Sequence, residues 1–339
     1  MSSKHRSSRR RADSEDLSLE GRCGGPTNNM QNNFLLSIII PVFDEEKNID
    51  TLLKRLVPTI KDYNYEIIFV SDGSKDKTED NIKKHIKVNK QIKLISFKRN
   101  FGHQMAITCG YQTAKGDAVI SMDADLQDPP EVIPKMIEKW QNGAKIVYAR
   151  REKRDVDSFF KKITAKLFYQ LINFLSDVPI PQDVGDYRLL DRETVNFLNS
   201  LPEQSRFLRG LVSWGGYRAE YVYFEREKRH AGETHYGFLK MLNFALEGIT
   251  SFSTKPLRIA TYFGFLAGGL GFIGLIYHLI RKIIHPQYYV TGWAGLFVAI
   301  IFLGGLQLIT IGIIGEYIGK IYKELQKRPR FLIKEKVNL

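Results

Sequence analysis

From Phe34 to about Arg151, short apolar runs alternate with stretches whose apolar residues recur every three or four positions. "LLSIIIPVF" predicts a strand, and "EKNIDTLLKRLVPTI", with Ile49, Leu52, Leu53 and Leu56 in register, predicts a helix. The alternation repeats through strand "YEIIFVSDG" and helix "DKTEDNIKKHIK", then strand "IKLISF" and helix "GHQMAITCGYQTA". Strand "DAVISMDAD", helix "PEVIPKMIEKWQN" and a fifth strand "AKIVYAR" complete the series. Continuous Val/Ile runs joined through helices imply an α/β domain with a mostly parallel sheet covered on both faces. Ligands of such sheets bind beyond the carboxyl ends of the strands. The acids lie there: Asp44, Glu45 and Glu46 after the first strand, Asp72 after the second, Asp123 and Asp125 after the fourth.

The last third follows a different pattern. Neither Ile259 to Ile280 nor Val290 to Gly315 contains an acid, Lys or Arg, and each is long enough to cross a hydrocarbon core of roughly 30 Å. Two transmembrane helices are expected, at 257–280 and 290–316, followed by a basic tail at 317–339. Lys and Arg are plentiful before the first span and in the tail, against Arg281 and Lys282 between the spans. That asymmetry places both termini and the 34–235 domain on the cytoplasmic side. Two amphipathic stretches, about 157–176 and 236–256, carry the aromatic and basic residues of helices that lie in a membrane interface. Gly264 and Gly268, at GxxxG spacing, point to homo-oligomerisation through the spans.

Charge and chemistry narrow the choice. A formal net charge of +13 and a sequence pI near 9.5 favour acidic partners. The basic residues cluster beside membrane segments, so an anionic leaflet explains them better than nucleic acid. Residues 1–33 have the composition of a disordered, basic arm. Cys23 and Cys109 provide neither metal spacing nor a disulfide framework, and Cys109 is expected as a buried thiol. No GxGxxG or Walker A loop follows any strand, which counts against dinucleotide binding. Asp123 and Asp125, separated by one residue at a strand end, suit a hard divalent cation shared with a diphosphate. The competing structural reading is an Asx-turn with a capping Asp ahead of "PPE", and Asp128 to Glu131 is expected to form that turn and helix start.

"IIIPVFDEEKNI", "VSDGSKDKT", "DADLQDPPE", "QDVGDYRLL" and "KRHAGETHY", in this order, resemble an inverting family 2 glycosyltransferase of the GT-A fold. The similarity runs from about Leu35 to the end and is to polyprenyl-phosphate glycosyltransferases: dolichyl-phosphate mannose synthases and, given two C-terminal spans, more closely bactoprenol glucosyltransferases. The resemblance implies transfer of a hexose, glucose from UDP-glucose in the first instance, to undecaprenyl phosphate, with GDP-mannose as the alternative donor. It implies that Pro41, Phe43, Glu45 and Asp72 line the nucleotide, with Asp123, Asp125 and Arg229 also on the nucleotide sugar. Asp125 and Gln127 would hold Mg²⁺ or Mn²⁺, and Asp186, beside Asp183 and Arg188, would be the catalytic carboxylate, Asp125 sharing in catalysis through the cation. Candidates for the acceptor phosphate are Arg150, Arg151, Ser158, Lys162 and Lys166. Thr234-His235-Tyr236 stands where the family commonly has Ser-Lys-Tyr, which puts a fixed phosphate contact there in doubt. A processive synthase would need a Gln-x-x-Arg-Trp motif, which is absent. A non-catalytic nucleotide-sugar-binding membrane scaffold is the reading from another class.

Overall fold

The computed structural model describes residues 33–152, 184–225, 250, 253–284 and 293–339. The expected interfacial helix at 157–176, most of that at 236–256, the 1–33 arm except Asn33, and Ser158, Lys162, Lys166, Asp183, Arg229 and His235 lie outside these residues.

Each strand of the sequence pattern forms: β1 (Leu35–Val42), β2 (Asn64–Ser71), β3 (Ile92–Phe97), β4 (Ala118–Ser121) and β5 (Ile146–Arg151). Between them run α1 (Ile49–Ile60), α2 (Thr78–Val88), α3 (His103–Thr113) and α4 (Ile133–Gln141), the last preceded by a single 3-10 turn, Pro130–Val132. Then follow β6 (Val184–Asp191), α5 (Arg192–Ser200), α6 (Leu208–Trp214) and β7 (Ala219–Phe224). Two long helices, α7 (Lys255–Ile284) and α8 (Trp293–Gln326), and a last strand β8 (Ile333–Val337) complete the chain.

The sheet order is β7-β5-β6-β4-β1-β2-β3-β8. β1 pairs in parallel with β2 and β4, and β2 with β3, while β6 runs antiparallel between β4 and β5. Side-chain alternation divides β1 between two cores. Leu36, Ile38 and Ile40 pack with Leu52, Leu56 and Met136 of α1 and α4, and Ile39 packs with Ile107 of α3 on the opposite face. Full burial of each such aliphatic side chain contributes about 1.5–3 kcal/mol, so both faces of the central strands are committed to the core. Cys109 is buried as expected, and burial pushes its thiol up to about 12, so the side chain is an inert packing group.

The chain leaves β1 toward β2 and β3 on one side and returns to β4 on the other. The topological switch point therefore lies between β1 and β4, where doubly wound sheets open a crevice for ligands.

The C-terminal segment corrects the expected boundaries. Helix α8 does not end near residue 316; "EYIGKIYKELQ" loses apolarity but keeps good helix formers, and the helix runs on to Gln326. The supposed tail then becomes β8, antiparallel to β3 at the sheet edge, with Leu94 opposite Val337 and Ser96 opposite Glu335. Lys83 reaches Glu335 at 2.6 Å and Phe331 stacks on Phe97 at 4.9 Å. Within α7 and α8, Lys255–Gly274 and Phe302–Gln326 have mean hydropathies of 1.3 and 1.4, and most of their apolar side chains are exposed, none being buried. By length and composition both helices are able to cross a membrane. Tyr317 of α8 donates to the Ser253 carbonyl at 2.6 Å, tying the second helix to the start of the first.

Candidate active site

β4 ends at Ser121, and "MDADLQDPP" forms the loop beyond it. β4 and β6 pair antiparallel with Ser121 opposite Arg188. Asp123 lies two residues beyond the end of β4 and Asp186 two residues earlier on β6, so the direction of the pairing brings these carboxylates together. His103, the first residue of α3, bridges them, its Nε2 standing 3.5 Å from Asp123 Oδ1 and 3.4 Å from Asp186 Oδ2.

Asp186 is 5% exposed and its carboxylate is fully engaged. Arg188 donates to Oδ1 at 2.5 Å, while Arg209 of α6 and Gln104 of α3 donate to Oδ2 at 3.1 and 3.3 Å. Burial alone would push this carboxyl up. The His103 hydrogen bond and the Arg188 and Arg209 charges outweigh it and hold the group well below the usual carboxylate range. The Asp186 main-chain carbonyl accepts from Ser121 at 2.6 Å, and Ser121 in turn contacts Tyr111 at 3.0 Å. Burial lowers His103, but its Asp186 hydrogen bond and the charges of Asp123 and Asp186 prevail and raise it.

Asp123 behaves oppositely to Asp186. Burial and the neighbouring charges of Asp186 and Asp125 raise its carboxyl, with His103 opposing. Three carboxyl groups therefore crowd one corner. Asp125 is buried, and its Oδ1 accepts the Gln127 main-chain N–H at 3.1 Å, an Asx-turn. The competing turn reading thus applies to Asp125 itself, and a helix start follows the Asp128 turn at Pro130 as expected. The Asp128 carboxylate lies 3.5 Å from Arg151 Nη2. Between Asp125 and Gln127, Leu126 is buried at φ +62°, a left-handed conformation that costs a non-glycine residue on the order of 1–3 kcal/mol and is typical of ligand sites.

Among the described residues, no three His, Cys, Asp or Glu side chains are grouped to hold a metal ion unaided. The donor chemistry nevertheless fits a hard divalent cation. Carboxylate oxygens are its preferred ligands, and positive charge there would relieve the repulsion that raises Asp123. Such a cation would complete its shell from water or a bound diphosphate.

The remaining expected residues lie at the same sheet end with varied roles. Phe43 is 43% exposed beside the crevice, and Pro41 is buried in β1 opposite Val70. Asp44, at φ +54°, accepts from the Lys75 amide at 2.7 Å and ties the β1–α1 loop to the β2–α2 loop. Glu45 accepts from the Asn48 side chain at 2.5 Å. Asp72 faces the protein, accepting from the Phe101 and Gly102 amides at 2.6 and 2.8 Å and thereby holding the loop that delivers His103. Burial raises its carboxyl, opposed by those two hydrogen bonds. Arg150 lies over the Tyr221 ring at 5.6 Å.

His103, Gln104 and Arg209 were not among the residues expected from the sequence. His103 and Gln104 were legible in part: "FGHQ" follows the third strand at its carboxyl end, where ligand groups gather. Arg209 sits in "SRFLRG", outside the strand–helix repeat, and only the tertiary fold brings it to Asp186.

Comparison with known proteins agrees with this geometry. Residues 37–197 match glycosyl transferase family 2, and residues 255–321 match the GtrB C-terminal hairpin. An uncharacterized glycosyltransferase of Synechocystis sp. is 45% identical over 304 residues, covering 88% of this chain and 95% of that one. The chain belongs to glycosyl transferase family 2. The bactoprenol glucosyl transferase of Shigella phage SfX is 45% identical over 303 residues, covering 89% of this chain and 99% of that protein. A prophage bactoprenol glucosyl transferase homolog of Escherichia coli is 44% identical over 301 residues, or 88% and 98% of the two chains. As a family 2 glycosyltransferase, the chain is an enzyme.

Proposed function

We propose that this glycosyltransferase moves glucose from UDP-glucose to undecaprenyl phosphate, inverting the anomeric centre, at the cytoplasmic face of a membrane. The observation that supports it most is the meeting of Asp186 with Asp123 and Asp125 at the switch point, in a chain whose relatives include bactoprenol glucosyl transferases. Asp125 and Gln127 would hold Mg²⁺ or Mn²⁺, which when bound supplies positive charge for the departing diphosphate. Asp123 would face the ribose side of the diphosphate. Phe43 would offer its exposed ring to the base, with Pro41, Glu45 and Asp72 shaping the loops around it.

An oxygen of the lipid phosphate attacks the sugar anomeric carbon as the bond to the nucleoside diphosphate breaks. The second pKa of a phosphate monoester is about 6, so the acceptor reaches neutral pH mostly as a dianion with little need of a base. A carboxylate held as low as Asp186 is also a weak proton acceptor. Asp186 therefore acts by orientation: it fixes Arg209 and His103 beside Asp123, where the sugar and diphosphate would lie.

Arg151, bridging toward Asp128, and Arg150 would stand on the acceptor side, joined by Ser158, Lys162 and Lys166, with Arg229 toward the donor. The Lys and Arg flanks of the spans support a cytoplasmic catalytic domain and cytoplasmic termini. A Cβ built on Gly264 or Gly268 meets nothing within 4 Å, leaving room for a second copy's helix against the spans.

The test is transfer of radiolabelled sugar to undecaprenyl phosphate by the full chain, with UDP-glucose and GDP-mannose compared. Labelled lipid from UDP-glucose alone is the expected result. Labelled lipid from GDP-mannose alone would move the enzyme to the mannose synthase type, and donor binding without product would make it a scaffold.

A further inference from the structure

The domain end of α8 touches a loop that leads into the active site. Both oxygens of Glu324 accept the Gln204 amide at 2.9 Å, and Oε1 also accepts the Ser205 amide at 3.0 Å. Arg330 takes the other end of the same loop, donating to the Leu201 and Pro202 carbonyls at 3.0 and 2.9 Å. Charge-assisted hydrogen bonds of this kind are roughly twice as strong as neutral ones. The segment that carries them is itself fixed to the sheet, because Phe331 stacks on Phe97 and the Lys98 amide donates to the Leu332 carbonyl at 2.9 Å.

Beyond Ser205, the chain has little freedom before it reaches the site. Arg206, Phe207 and Leu208 are all buried, and Arg206 donates to the Leu198 carbonyl. The next residue is Arg209, 3.1 Å from Asp186. The Leu208 amide also donates to Gln104 Oε1 at 3.3 Å, and Gln104 donates onward to Asp186. A shift of the 201–207 loop thus reaches Asp186 by two routes.

We infer that Glu324 and Arg330 are positioning residues through which the second membrane helix holds the 201–207 loop and so sets Arg209 against Asp186. The inference rests on the proposed reading of Asp186 as an active-site group. It makes transfer chemistry depend on the membrane hairpin beyond simple anchoring, because the helix expected to enter the bilayer also orders the arginine that pairs with Asp186. Misplacing a catalytic group by about 1 Å costs up to about a hundredfold in rate.

The test is a double-mutant cycle on the full chain in lipid nanodiscs, reading kcat and the KM for UDP-glucose with undecaprenyl phosphate as acceptor. Glu324→Ala is expected to lower kcat roughly tenfold or more while KM moves less than about threefold. Glu324→Gln, which keeps a carbonyl acceptor, should recover most of that loss. In an Arg209→Ala background, Glu324→Ala should cost less than about twofold, because the group it positions is already gone. Arg209→Lys replaces Arg209→Ala if turnover of the alanine variant is too slow to measure, and Arg330→Ala, which removes the other hold on the loop, carries the cycle if Glu324→Ala does not fold. Equal losses in both backgrounds, or no loss at Glu324, would overturn the inference while leaving the site reading intact. Full activity in Arg209→Ala would overturn both.

Discussion

Replacing Asp186 by Asn separates an orienting carboxylate from a general base. The side chain is buried, and Arg188, Arg209, Gln104 and His103 converge on it. Asn preserves the shape but removes the charge that holds Arg209 and His103, so the expected loss in kcat is on the order of a hundredfold. Arg188, 0% exposed, loses its carboxylate partner as well. Breaking a buried pair in this way costs about 3–5 kcal/mol of stability, so the folded fraction has to be measured beside the rate. Turnover would be read at pH 6 and pH 8 with UDP-glucose and undecaprenyl phosphate, as the ratio of variant to wild type. If Asp186 only orients, the ratio stays near one in a hundred at both pH values. Wild-type activity still falls below about pH 6, because the acceptor phosphate gains its proton there. If Asp186 abstracts a proton, the dianionic acceptor at pH 8 no longer needs it. A variant retaining more than about a third of wild-type activity at pH 8, yet losing more than tenfold at pH 6, would refute the orienting role.

Other consequences are open to measurement. Gly110→Ala would press a Cβ into Ile39 Cγ2, and the overpacking should cost about 1–3 kcal/mol, read from a denaturant midpoint; an unchanged midpoint would mean that α3 does not press on β1. His103 is raised by Asp186 and Asp123, so its contribution to stability is complete below its unfolded pKa of about 6.5 and is lost as pH rises through its folded value. His103→Gln should flatten the stability profile above about pH 6.5, and a slope equal to wild type would remove His103 as its source. Asp191 and Asp76 are both lowered: burial raises each, but hydrogen bonds, from Trp140 and Lys145 at Asp191 and from Thr78 at Asp76, prevail. Their contribution is therefore held above about pH 4 and lost in acid. Asp191→Asn should lower the melting temperature at pH 7 but make little difference at pH 2, which a melting series in the two conditions would check.

The central fold was legible because its strands are continuous Val/Ile runs buried on both faces, a pattern few other structures need. The elements after Arg151, β7, α5 and α6 among them, were not, and three features show why. β6 mixes "VGDYRLL", in which Asp186 and Arg188 pair in the interior, so its polarity masked a strand. β8, "IKEKV", alternates polar and apolar residues in a highly charged segment, and only pairing with β3 gives it a face to bury. The helical continuation past Gly315 mixes Glu316, Lys320, Lys323 and Glu324 with Ile318, Ile321 and Leu325, so loss of the uncharged run did not mark the helix end. For the site, the acids at strand ends were legible from position alone, since ligands of such sheets gather there. Asp72 was legible as a residue, yet its carboxylate is spent on the loop before α3, a use that spacing cannot reveal. Arg209 was illegible because its partner lies on β6, across the fold.

The most direct test of the account is the metal dependence of lipid glucosylation in wild type and Asp125→Ala. Labelled glucosyl lipid should form from UDP-glucose with Mg²⁺ or Mn²⁺, disappear with EDTA, return on adding the cation back, and be lost in Asp125→Ala at normal folded stability. Undiminished product from a stably folded Asp125→Ala variant, or from wild type in EDTA, would contradict the reading of the switch-point acids as the centre of the transfer.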